Sequence, residues 1–457
     1  METELLTPQP DLYREKYRPQ FHFTARQWTV HTLEPKRQEE GWLNDPNGLI
    51  YLDGEYHFFA QRWAKCWIHA VSTDLIHWTE LQPAFWDDER FGTGVQSGGA
   101  VYDRENVSGL SDDKNNPPLI AFWSGFDNLS QCLSFSLDKG RTWTKYAQNP
   151  IFVRPERDPK VFWYEPTKKW IMVLSNNGKY DFFSSLNLLE WTKLPTSVPD
   201  CFECPDLFQL PIDNDLEQMK WVLVRGDGKY SVGDFDGTEF KPETETLPCD
   251  YGSHFYATMS WGEITESPGR RVQIAWMREG KYPGMPFNQQ ITFPCDLTLR
   301  NTDEGLRVFR NPVPEISKLH GEPHQWKDVV LNPGTSLPLD VPGDLFHIVA
   351  HLEIPEESTV TFYIRGRAVT LTNKIVFCDL SPISVQEQVT KVEILVDRTS
   401  IETFVNEGEV SLSSCFLPSD DLLTVECAGG SATLHSLEIF PLRSIWAEVQ
   451  TSTTNSA

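Results

Sequence analysis

A repeat of short apolar segments about 50 residues apart is the feature that most constrains how this chain can fold. Each of the five segments has the composition of a β-strand, and most of them begin with an aromatic residue. The segments are Tyr56–Ala60, Leu119–Trp123, Trp170–Leu174, Trp221–Arg225 and Val272–Trp276. Their first residues lie 63, 51, 51 and 51 positions apart. Short strands that recur at such a period predict the blades of a β-propeller.

Two further patterns keep the same period. An apolar strand precedes each segment, at residues 49–52, 99–102, 160–163, 206–210 and 256–261. A turn with a shared serine, an Asp or Asn two residues later and a Trp-Thr ending occurs at residues 72–79, 136–144 and 185–192. Asp and Asn favour such turns because their side chains bond the nearby backbone. We therefore predict an all-β fold that begins with a five-bladed propeller.

The repeat stops after residues 311–316, and a second set of strands begins. These strands are residues 346–354, 359–366, 368–378, 391–406 and 432–440. Alternation of apolar and polar residues in the fourth of them indicates a strand with one buried face, as in a two-sheet β-sandwich. The predicted domains are a propeller at 1–316, a linker or first sandwich strand at 317–342, a β-sandwich at 343–447 and a disordered, solvated tail at 448–457. Within the propeller domain, residues 17–24 lead into the first blade and residues 25–41 form an insertion.

The charge balance excludes some partners. The chain of 457 residues has 65 acidic and 40 basic residues, which gives a formal net charge of −25. A surface of that sign repels nucleic acid and anionic membranes, so we expect neither as a partner. Aromatic residues make up 12% of the chain, which suits a β-core and also stacking on the apolar faces of sugars. We expect a neutral small-molecule or oligomeric substrate, and a homo-oligomer is left open.

The cysteines and the N-terminus bear on location. Nine cysteines, an odd number, without Cys/His metal spacing predict reduced thiols. The first residues are charged and interrupted by proline, and no apolar run has the length of a membrane span. These features predict a cytoplasmic protein, or a secreted one only if a signal peptide has been removed.

Three of the predicted blades begin with an acidic residue close before a proline. Asp45 and Asp158 are each followed directly by proline, and Glu203 is followed by proline two residues on. Because proline holds the preceding residue in an extended conformation, these acids should approach the central channel in a similar way. Asp-Pro is also common turn chemistry, but three motifs in phase with the blades favour one shared site. A glycosidase uses such crowding, since one carboxyl group must stay protonated while another is ionised.

The sequences around these acids resemble a known family. WLNDPNG (42–48), ERDPK (156–160) and FECPD (202–206) closely resemble the three acidic motifs of glycoside hydrolase family 32, the invertases, inulinases and levanases. Further matches are RPQFHFT (18–24), DYGSHFYA (250–257), MPFNQQITFP (285–294) and VDRTSIETFVNEGE (396–409). The resemblance extends from about Tyr17 to Phe440. It implies a five-bladed propeller with a β-sandwich, a retaining mechanism, and neither a metal nor another cofactor.

The resemblance also implies roles for individual residues. Asp45 would be the nucleophile that forms a covalent fructosyl-enzyme, Glu203 the acid/base, and Asp158 a binder of the fructose hydroxyls through contacts that tighten in the transition state. The implied substrate-binding residues are Asn44, Gln61, Trp67, Ser97 and Arg157. The implied activity is release of terminal β-D-fructofuranosyl units from sucrose or from inulin- or levan-type fructans.

The sequence departs from the family pattern on the side expected to hold the leaving group. Ser97 matches a family serine, but Gln96 stands where an aromatic residue is usual and Gly99 where a second serine is usual. Ile68 replaces a glycine of the family. The insertion at 25–41 is either a rim loop that narrows the site or a surface loop without a role.

Other interpretations fit parts of the pattern. A fructosyltransferase would use the same chemistry with a sugar hydroxyl in place of water, and an inactive sugar-binding relative would not need an acid/base at Glu203. An inverting pentosidase on the same scaffold would hold its two carboxyl groups roughly 6.5–9.5 Å apart rather than about 5–5.5 Å. We interpret Cys204 as a small buried residue, and His22 and His254 as structural histidines.

Overall fold

The structure, a computed structural model, describes residues 12–27, 40–87, 94–126, 129–153, 157–378 and 381–446. Most of the predicted insertion at 25–41 and the whole predicted tail at 448–457 lie outside these residues. Regular structure in the described part is almost entirely β, with three short 3₁₀ helices at Glu165–Thr167, Pro314–Leu319 and Asn406–Gly408. No helix in this part of the chain is long and apolar enough to cross a membrane.

The first three blades follow each other in chain order. After a short strand β1 (Gly41–Trp42), blade one consists of β2 (Pro46–Leu52), β3 (Glu55–Arg62), β4 (Cys66–Ser72) and β5 (Thr79–Trp86). Blade two consists of β6 (Val95–Tyr102), β7 (Leu119–Gly125), β8 (Ser130–Ser136), β9 (Thr144–Lys145) and β10 (Phe152–Val153). Blade three consists of β11 (Arg157–Tyr164), β12 (Lys169–Ser175), β13 (Lys179–Ser185) and β14 (Thr192–Pro199). Neighbouring strands within each blade are antiparallel.

The last two blades complete the propeller. Blade four consists of β15 (Asp206–Ile212), β16 (Asp215–Val224), β17 (Lys229–Phe235), β18 (Phe240–Pro242) and β19 (Leu247–Pro248). Blade five contains β20 (Tyr256–Trp261), β21 (Val272–Trp276), β22 (Phe287–Asn288), β23 (Cys295–Thr302) and β24 (Gly305–Pro312), and β22 pairs in parallel with β1. The inner strands β20, β2, β6 and β11 lie side by side, and β15 lies next to β20. The predicted five-bladed propeller is confirmed.

The three repeated turns share one hydrogen-bond pattern. In each turn, the serine hydroxyl accepts a hydrogen bond from the backbone N–H of the Asp or Asn two residues later. The indole N–H of the turn tryptophan donates to the carbonyl three residues before it. The residue after the Asp or Asn has a left-handed backbone, with φ of 65°, 55° and 65° in the three turns. The sequence repeat therefore encodes one turn geometry, used in blades one, two and three.

The C-terminal strands form the predicted sandwich. They are β25 (His324–Leu331), β26 (Ser336–Pro338), β27 (Phe346–Glu353), β28 (Ser358–Ile364), β29 (Arg367–Leu371), β30 (Ile375–Phe377), β31 (Ile383–Ser384), β32 (Lys391–Val396), β33 (Ser400–Val405), β34 (Val410–Cys415), β35 (Leu423–Gly429) and β36 (Ala432–Pro441). One sheet has the order β25-β36-β27-β32-β33-β34 and the other β26-β35-β28-β29-β30-β31. Alternate residues such as Val392, Ile394 and Val396 are buried between the sheets. This burial is what the alternation in the sequence predicts.

The sandwich contacts the propeller through polar groups as well as apolar ones. Asp397, directly after β32, accepts hydrogen bonds from the backbone N–H groups of Gln20, Phe21 and His22. Asp250, which lies between blades four and five, accepts hydrogen bonds from the backbone and side chain of Ser413 on β34. Two of the motifs that match the family outside the acidic triad, at 18–24 and 396–409, therefore meet at this interface.

Candidate active site

The inner strands are irregular at the end where the predicted acids lie. Register shifts occur near the start of β2, β6, β11 and β20. Gly48, Asp158 and Ala257, near the start of three of these strands, have left-handed backbone with φ of 55°, 61° and 49°. The extended conformation predicted for Asp158 from the following proline is therefore wrong, because Asp158 lies in a bulge. A β-bulge turns side chains out of the regular alternation of a strand. The bulges thus re-aim side chains at one mouth of the channel, where Asp45, Asp158 and Glu203 converge.

Asp45 lies directly before β2, in a group of hydrogen bonds that favours its ionised form. The Ser97 hydroxyl donates to Asp45 Oδ2 at 2.6 Å, and Gln61 Nε2 donates to the same hydroxyl at 2.8 Å. Burial raises the pKa of Asp45, while hydrogen bonds from Ser97 and Asn44 oppose that rise and the charge of Glu203 adds to it. Ser97 and Gln61, predicted as substrate contacts, therefore also position the predicted nucleophile.

Asp158 is buried close to Asp45. Its backbone N–H donates to Ser124 Oγ at 3.1 Å, and its Oδ2 accepts a hydrogen bond from the Cys204 backbone N–H at 3.0 Å. Burial and the charge of Asp45 raise the pKa of Asp158 to about 7, although the Cys204 N–H and Arg157 lower it. The two buried acids therefore compete for ionisation, as like charges in one site do.

Glu203 is held at both carboxylate oxygens. Arg157 Nη2 donates to Oε1 at 2.7 Å, and the Tyr256 hydroxyl donates to Oε2. Its backbone is left-handed, with φ of 51°, and its N–H donates to Ser175 Oγ at 2.8 Å. A left-handed residue that is not glycine costs roughly 1–3 kcal/mol and persists only where the surroundings fix it. The neighbouring strands thus force Glu203 into the channel.

Two residues of this site carried no functional prediction. The Cys204 thiol lies 3.7 Å from Asp45 Oδ2 and 3.8 Å from Asp158 Oδ2, so one side chain contacts both acids. Burial and these acids raise the pKa of Cys204, which keeps the thiol protonated and able to donate. The interpretation of Cys204 as a small buried residue was incomplete. Tyr256 was missed, although it lies in the DYGSHFYA match and opens an inner strand, which is a signal that could have found it.

The other predicted substrate contacts lie around these acids. Asn44 accepts a hydrogen bond from the Trp42 indole at 3.0 Å, and its N–H donates to the Gln61 carbonyl. Arg157 contacts Glu203 as described above. Trp67 is fully buried, and its indole donates to the Gln96 carbonyl at 3.0 Å. Its contact with a substrate stays a prediction, because in this structure it supports the strand beneath Gln96.

The segment that departs from the family pattern is tightly packed. A Cβ added at Gly98 would lie 1.9 Å from the carbonyl oxygen of Phe122, so this position tolerates only glycine. At Gly99 an added Cβ would lie 3.1 Å from the carbonyl oxygen of Pro159. A serine at Gly99 would therefore require a small displacement of blade three. Gly99 thus has a close backbone neighbour, whereas nothing in the structure explains glutamine at position 96.

Two further features bound what this site can do. Among the described residues, no group of three or more His, Cys, Asp or Glu side chains has the arrangement of a metal site. A cavity of about 760 Å³ lies among the opposite ends of the inner strands, lined by residues such as Tyr51, Tyr102 and Trp163, and none of the three acids lines it. The acid site itself brings together three carboxyl groups, a protonated thiol and an arginine.

Comparison with family models gives two matches. The model for the glycosyl hydrolases family 32 N-terminal domain matches residues 36–312, and the model for the family 32 C-terminal region matches residues 356–441. The first match covers the five blades, and the second lies within the sandwich.

Similar proteins are found by sequence and by structure. A levanase of Bacillus subtilis is 35% identical over 95% of this chain and 72% of its own length. An extracellular exo-inulinase of Aspergillus awamori is 28% identical over 95% of this chain and 96% of its own length. The crystal structure of the exo-inulinase from that organism has a TM-score of 0.81 at 26% identity and covers 95% of this chain and 100% of that one. The structure of a fructofuranosidase of Schwanniomyces occidentalis complexed with fructose has a TM-score of 0.80 at 25% identity. It covers 96% of this chain and 100% of that one.

Proposed function

Because this chain belongs to glycosyl hydrolase family 32, we propose that it is an exo-acting β-fructofuranosidase that releases terminal fructose from fructans or sucrose. The reaction is a double displacement through a covalent fructosyl-enzyme. Asp45 is the nucleophile, Glu203 the acid/base and Asp158 the group that holds the fructosyl hydroxyls. The observation that carries these roles is the cluster itself, in which three carboxyl groups from blades one, three and four meet around Cys204 and Arg157.

In the first half of the reaction, the bond between the anomeric carbon and the leaving oxygen breaks. An Asp45 oxygen attacks the anomeric carbon, and Glu203 gives its proton to the departing oxygen. The hydrogen bonds from Ser97 and Asn44 favour the ionised form of Asp45 that this attack requires. When Glu203 carries the proton, the Tyr256 hydroxyl can accept a hydrogen bond from it instead of donating one, so this contact is compatible with both protonation states.

In the second half, water releases the sugar. Glu203, now ionised, removes a proton from a water molecule, and the resulting oxygen attacks the anomeric carbon while the bond to Asp45 breaks. Arg157 supports the ionised form of Glu203 through its 2.7 Å hydrogen bond. The proton that Glu203 gains is the one it donates in the next cycle, so the enzyme returns to its starting state.

Asp158 suits a role in sugar binding rather than in bond making. Its Oδ2 is already engaged by the Cys204 N–H, and the side chain is buried, so a substrate hydroxyl would find a fixed acceptor. A hydrogen bond from a hydroxyl whose acidity grows as the sugar becomes positively charged is stronger in the transition state than in the ground state. Such differential binding accelerates the reaction.

The substrate range is proposed from the similar proteins, whose names are levanase, exo-inulinase and fructofuranosidase. We propose sucrose, inulin-type and levan-type fructans as substrates, with the terminal fructosyl unit bound among Asn44, Gln61 and Arg157. The product of hydrolysis is free fructose, whereas a fructosyltransferase would lengthen another sugar. Chromatography of the products at low and high sugar concentration separates these two activities.

The decisive test traps the intermediate. In a Glu203→Ala variant given an activated fructoside, whose leaving group needs no protonation, the first step proceeds while the second is slow. We expect a mass increase of one fructosyl unit that maps to the peptide containing Asp45. An Asp45→Ala variant under the same conditions is the control and should carry no adduct. A label on another residue, or none in the Glu203→Ala variant, would reject the assignment.

We also propose that the protein acts in the cytoplasm, as the sequence predicts. The support is that none of the nine cysteines, all within the described residues, forms a disulfide bond and that seven of them are buried, which suits a reducing compartment. Immunoblotting of the cytoplasmic fraction and the culture medium tests this location, and recovery of the protein chiefly from the medium would reject it.

A further inference from the structure

We propose that the cavity at the end of the channel opposite the acids is a second binding site, for a small organic anion whose phosphate or carboxylate group is carried by a ring. The cavity has a volume of about 760 Å³ and is lined by the inner strands of all five blades. Pockets that bind small molecules have volumes of about 300–1,000 Å³. The proposal concerns binding alone and does not depend on the proposed hydrolysis.

The first observation is an arginine in this cavity whose charge has no carboxylate partner. Arg271 Nη1 donates to Ser260 Oγ at 3.3 Å, but in the part of the chain that the structure describes its Nε has no hydrogen-bond partner and the side chain forms no salt bridge. Arg271 Cζ lies 4.5 Å from the Phe208 ring centroid, a contact that stabilises a cation without neutralising it. Burial lowers the pKa of Arg271, and the charges of Asp206 and Glu263 oppose this change. An anion placed here would compensate a charge that is costly to bury alone.

The second observation is that the neighbouring carboxylate is already shared. Asp206 accepts a hydrogen bond from Ser260 Oγ at 2.6 Å and forms an ion pair with Lys160 Nζ at 2.8 Å. Lys160, Ser260 and Arg271 all line the cavity. These residues and Asp206, the cavity ion cluster, contain two cations and one carboxylate, so one positive charge remains. The chain as a whole carries a formal charge of −25, and a local reversal of sign directs anions to this place.

The cavity ion cluster lies at the deep end of the cavity. On β11, Lys160 follows Asp158 by two residues, and Trp163 follows Lys160 by three. Because a strand rises about 3.3 Å per residue, Trp163 lies about 10 Å further from the acids than Lys160 does. Lys168, beyond the end of this strand, also lines the cavity and is exposed, so it marks the mouth. A ligand that enters from solvent therefore meets the ion cluster last.

The wall between the mouth and the ion cluster is aromatic. Tyr51, Tyr102 and Trp163, from blades one, two and three, line the cavity and are partly exposed. The Trp163 indole N–H already donates to Glu165 Oε2 at 2.6 Å, which leaves the face of its ring for a ligand. Such faces pack on flat rings and on the C–H groups of sugars. Aromatic walls with a few fixed polar groups are typical of small-molecule sites, so the lining favours a ligand with a ring and one anionic group.

Titration calorimetry in a buffer without phosphate tests the site. Phenyl phosphate is the probe, because it combines a ring with an anionic group, and benzoate replaces its phosphate by a carboxylate. Inorganic phosphate and phenol each supply one part of the probe alone. We expect one ring-bearing anion per chain, bound at least about tenfold more tightly than phenol or inorganic phosphate, which corresponds to about 1.4 kcal/mol. The tighter of phenyl phosphate and benzoate identifies the anionic group.

The proposal fails if neither ring-bearing anion binds, or if phenol or inorganic phosphate binds as tightly as both. Arg271→Gln should weaken phenyl phosphate about tenfold or more, because it removes a charged hydrogen-bond donor. Lys168→Gln is the matched control, since it removes an exposed charge that is paired with Glu165 at the mouth. This variant should change the affinity less than about twofold.

Two further variants place the ligand. Arg157→Gln removes the basic partner of the acid site and should retain binding, whereas a loss in this variant alone would put the ligand among the acids and overturn the proposal. Trp163→Leu changes the partly exposed wall and should weaken phenyl phosphate about fivefold. Thermal unfolding shows whether Arg271→Gln is folded, and if it is not, Trp163→Leu decides. Unchanged affinity in the folded variants at 271 and 163 would overturn the site.

Discussion

The molecule contains two buried acidic clusters that differ in how their charge is balanced. At the active site, Asp45, Asp158 and Glu203 have one basic partner, Arg157. At the interface between propeller and sandwich, the corresponding acids are Asp250, Asp397 and Glu402. Those three share two basic partners, because His22 lies 2.9 Å from Asp397 and 2.8 Å from Glu402, and Arg310 lies 3.2 Å from Asp250.

This difference sets the protonation of each cluster. Burial alone would lower the pKa of His22, but its hydrogen bonds to Asp397 and Glu402 raise it to about 9. Burial alone would raise the pKa values of those two acids, and His22 brings both below their usual range. In the active site the balance is reversed, and the pKa values of Asp45 and Asp158 are raised. The charge of His22 thus favours the ionised forms of Asp397 and Glu402, whereas burial and mutual repulsion favour the protonated forms of Asp45 and Asp158.

The largest effect should come from removing a reacting carboxyl group. We expect Asp45→Ala and Glu203→Ala each to lower kcat for sucrose by about 10²–10⁴-fold or more. The first variant lacks the proposed nucleophile and the second lacks the proposed proton donor. The melting temperature should stay the same or rise, since either change relieves repulsion among crowded acids. Activity assays and thermal unfolding check both points. Retention of more than a few per cent of activity in Asp45→Ala would reject the nucleophile role.

Breaking the interface cluster should lower stability and leave activity nearly unchanged, which is the opposite of the result expected for Asp45→Ala and Glu203→Ala. We expect His22→Gln to destabilise the fold by about 3–5 kcal/mol, because it leaves two buried carboxylates without their cation. Urea unfolding measures this loss, and kcat of the protein that remains folded should change little. A loss of kcat with no loss of stability would show that His22 serves catalysis, and the distinction between the two clusters would not hold.

The pH dependence of stability should separate the clusters further. Between pH 4 and 7 Asp158 keeps its proton in the folded chain but loses it in the unfolded chain, where its pKa has the ordinary value of 3.8. The free energy of unfolding should therefore fall as pH rises through this window. His22 should add a second fall between pH 6.5 and 9, since its stabilising charge is lost as pH passes the folded value. Each pKa unit corresponds to about 1.4 kcal/mol.

Two variants assign these windows. Asp158→Asn should flatten the dependence at the lower pH and leave the upper one, and His22→Gln should do the reverse. Denaturant unfolding at half-unit steps of pH measures both slopes. A slope at pH 4–7 that persists in Asp158→Asn would mean that the proton is held elsewhere in the cluster.

Much of this architecture follows from local sequence patterns. The 51-residue period predicts the blades, and the Ser-x-Asp/Asn turns support this prediction because blades one, two and three repeat the same short-range hydrogen bonds. The three acids could be predicted from their place before the inner strands. The bulge that contains Asp158 could not be predicted, because a bulge depends on the register between two strands and leaves no fixed residue pattern.

Long-range contacts were the harder part. The match at 396–409 predicted the family, but no pattern in the sequence around Asp397 indicates that its side chain binds Gln20, which lies 377 positions earlier in the chain. Tyr256 and Cys204 were missed for the same reason, since each acts on a carboxylate from another part of the fold. Sequence thus predicted which acids lie together, and the structure adds the groups that surround them; that these acids react stays a prediction.

The smallest effect tests a single donor in the catalytic cluster. Ser97→Ala removes the 2.6 Å hydrogen bond to Asp45 Oδ2, which is one of three hydrogen bonds, with those from Asn44 and Cys204, that oppose the rise in the pKa of Asp45. A hydrogen bond to a charged group contributes about 1.5–3 kcal/mol, so the acid limb of the profile of kcat/KM against pH should move to higher pH by about one unit.

Ser124→Ala is the matched control, because its hydroxyl contacts Gln131 and the backbone of Asp158 rather than Asp45. If both variants move the limb equally, the shift reflects general loosening of the blades. If only Ser97→Ala moves it, neutral hydrogen-bond donors oppose the rise in the pKa of Asp45, whereas a cation, His22, lowers the pKa values of Asp397 and Glu402 at the interface cluster.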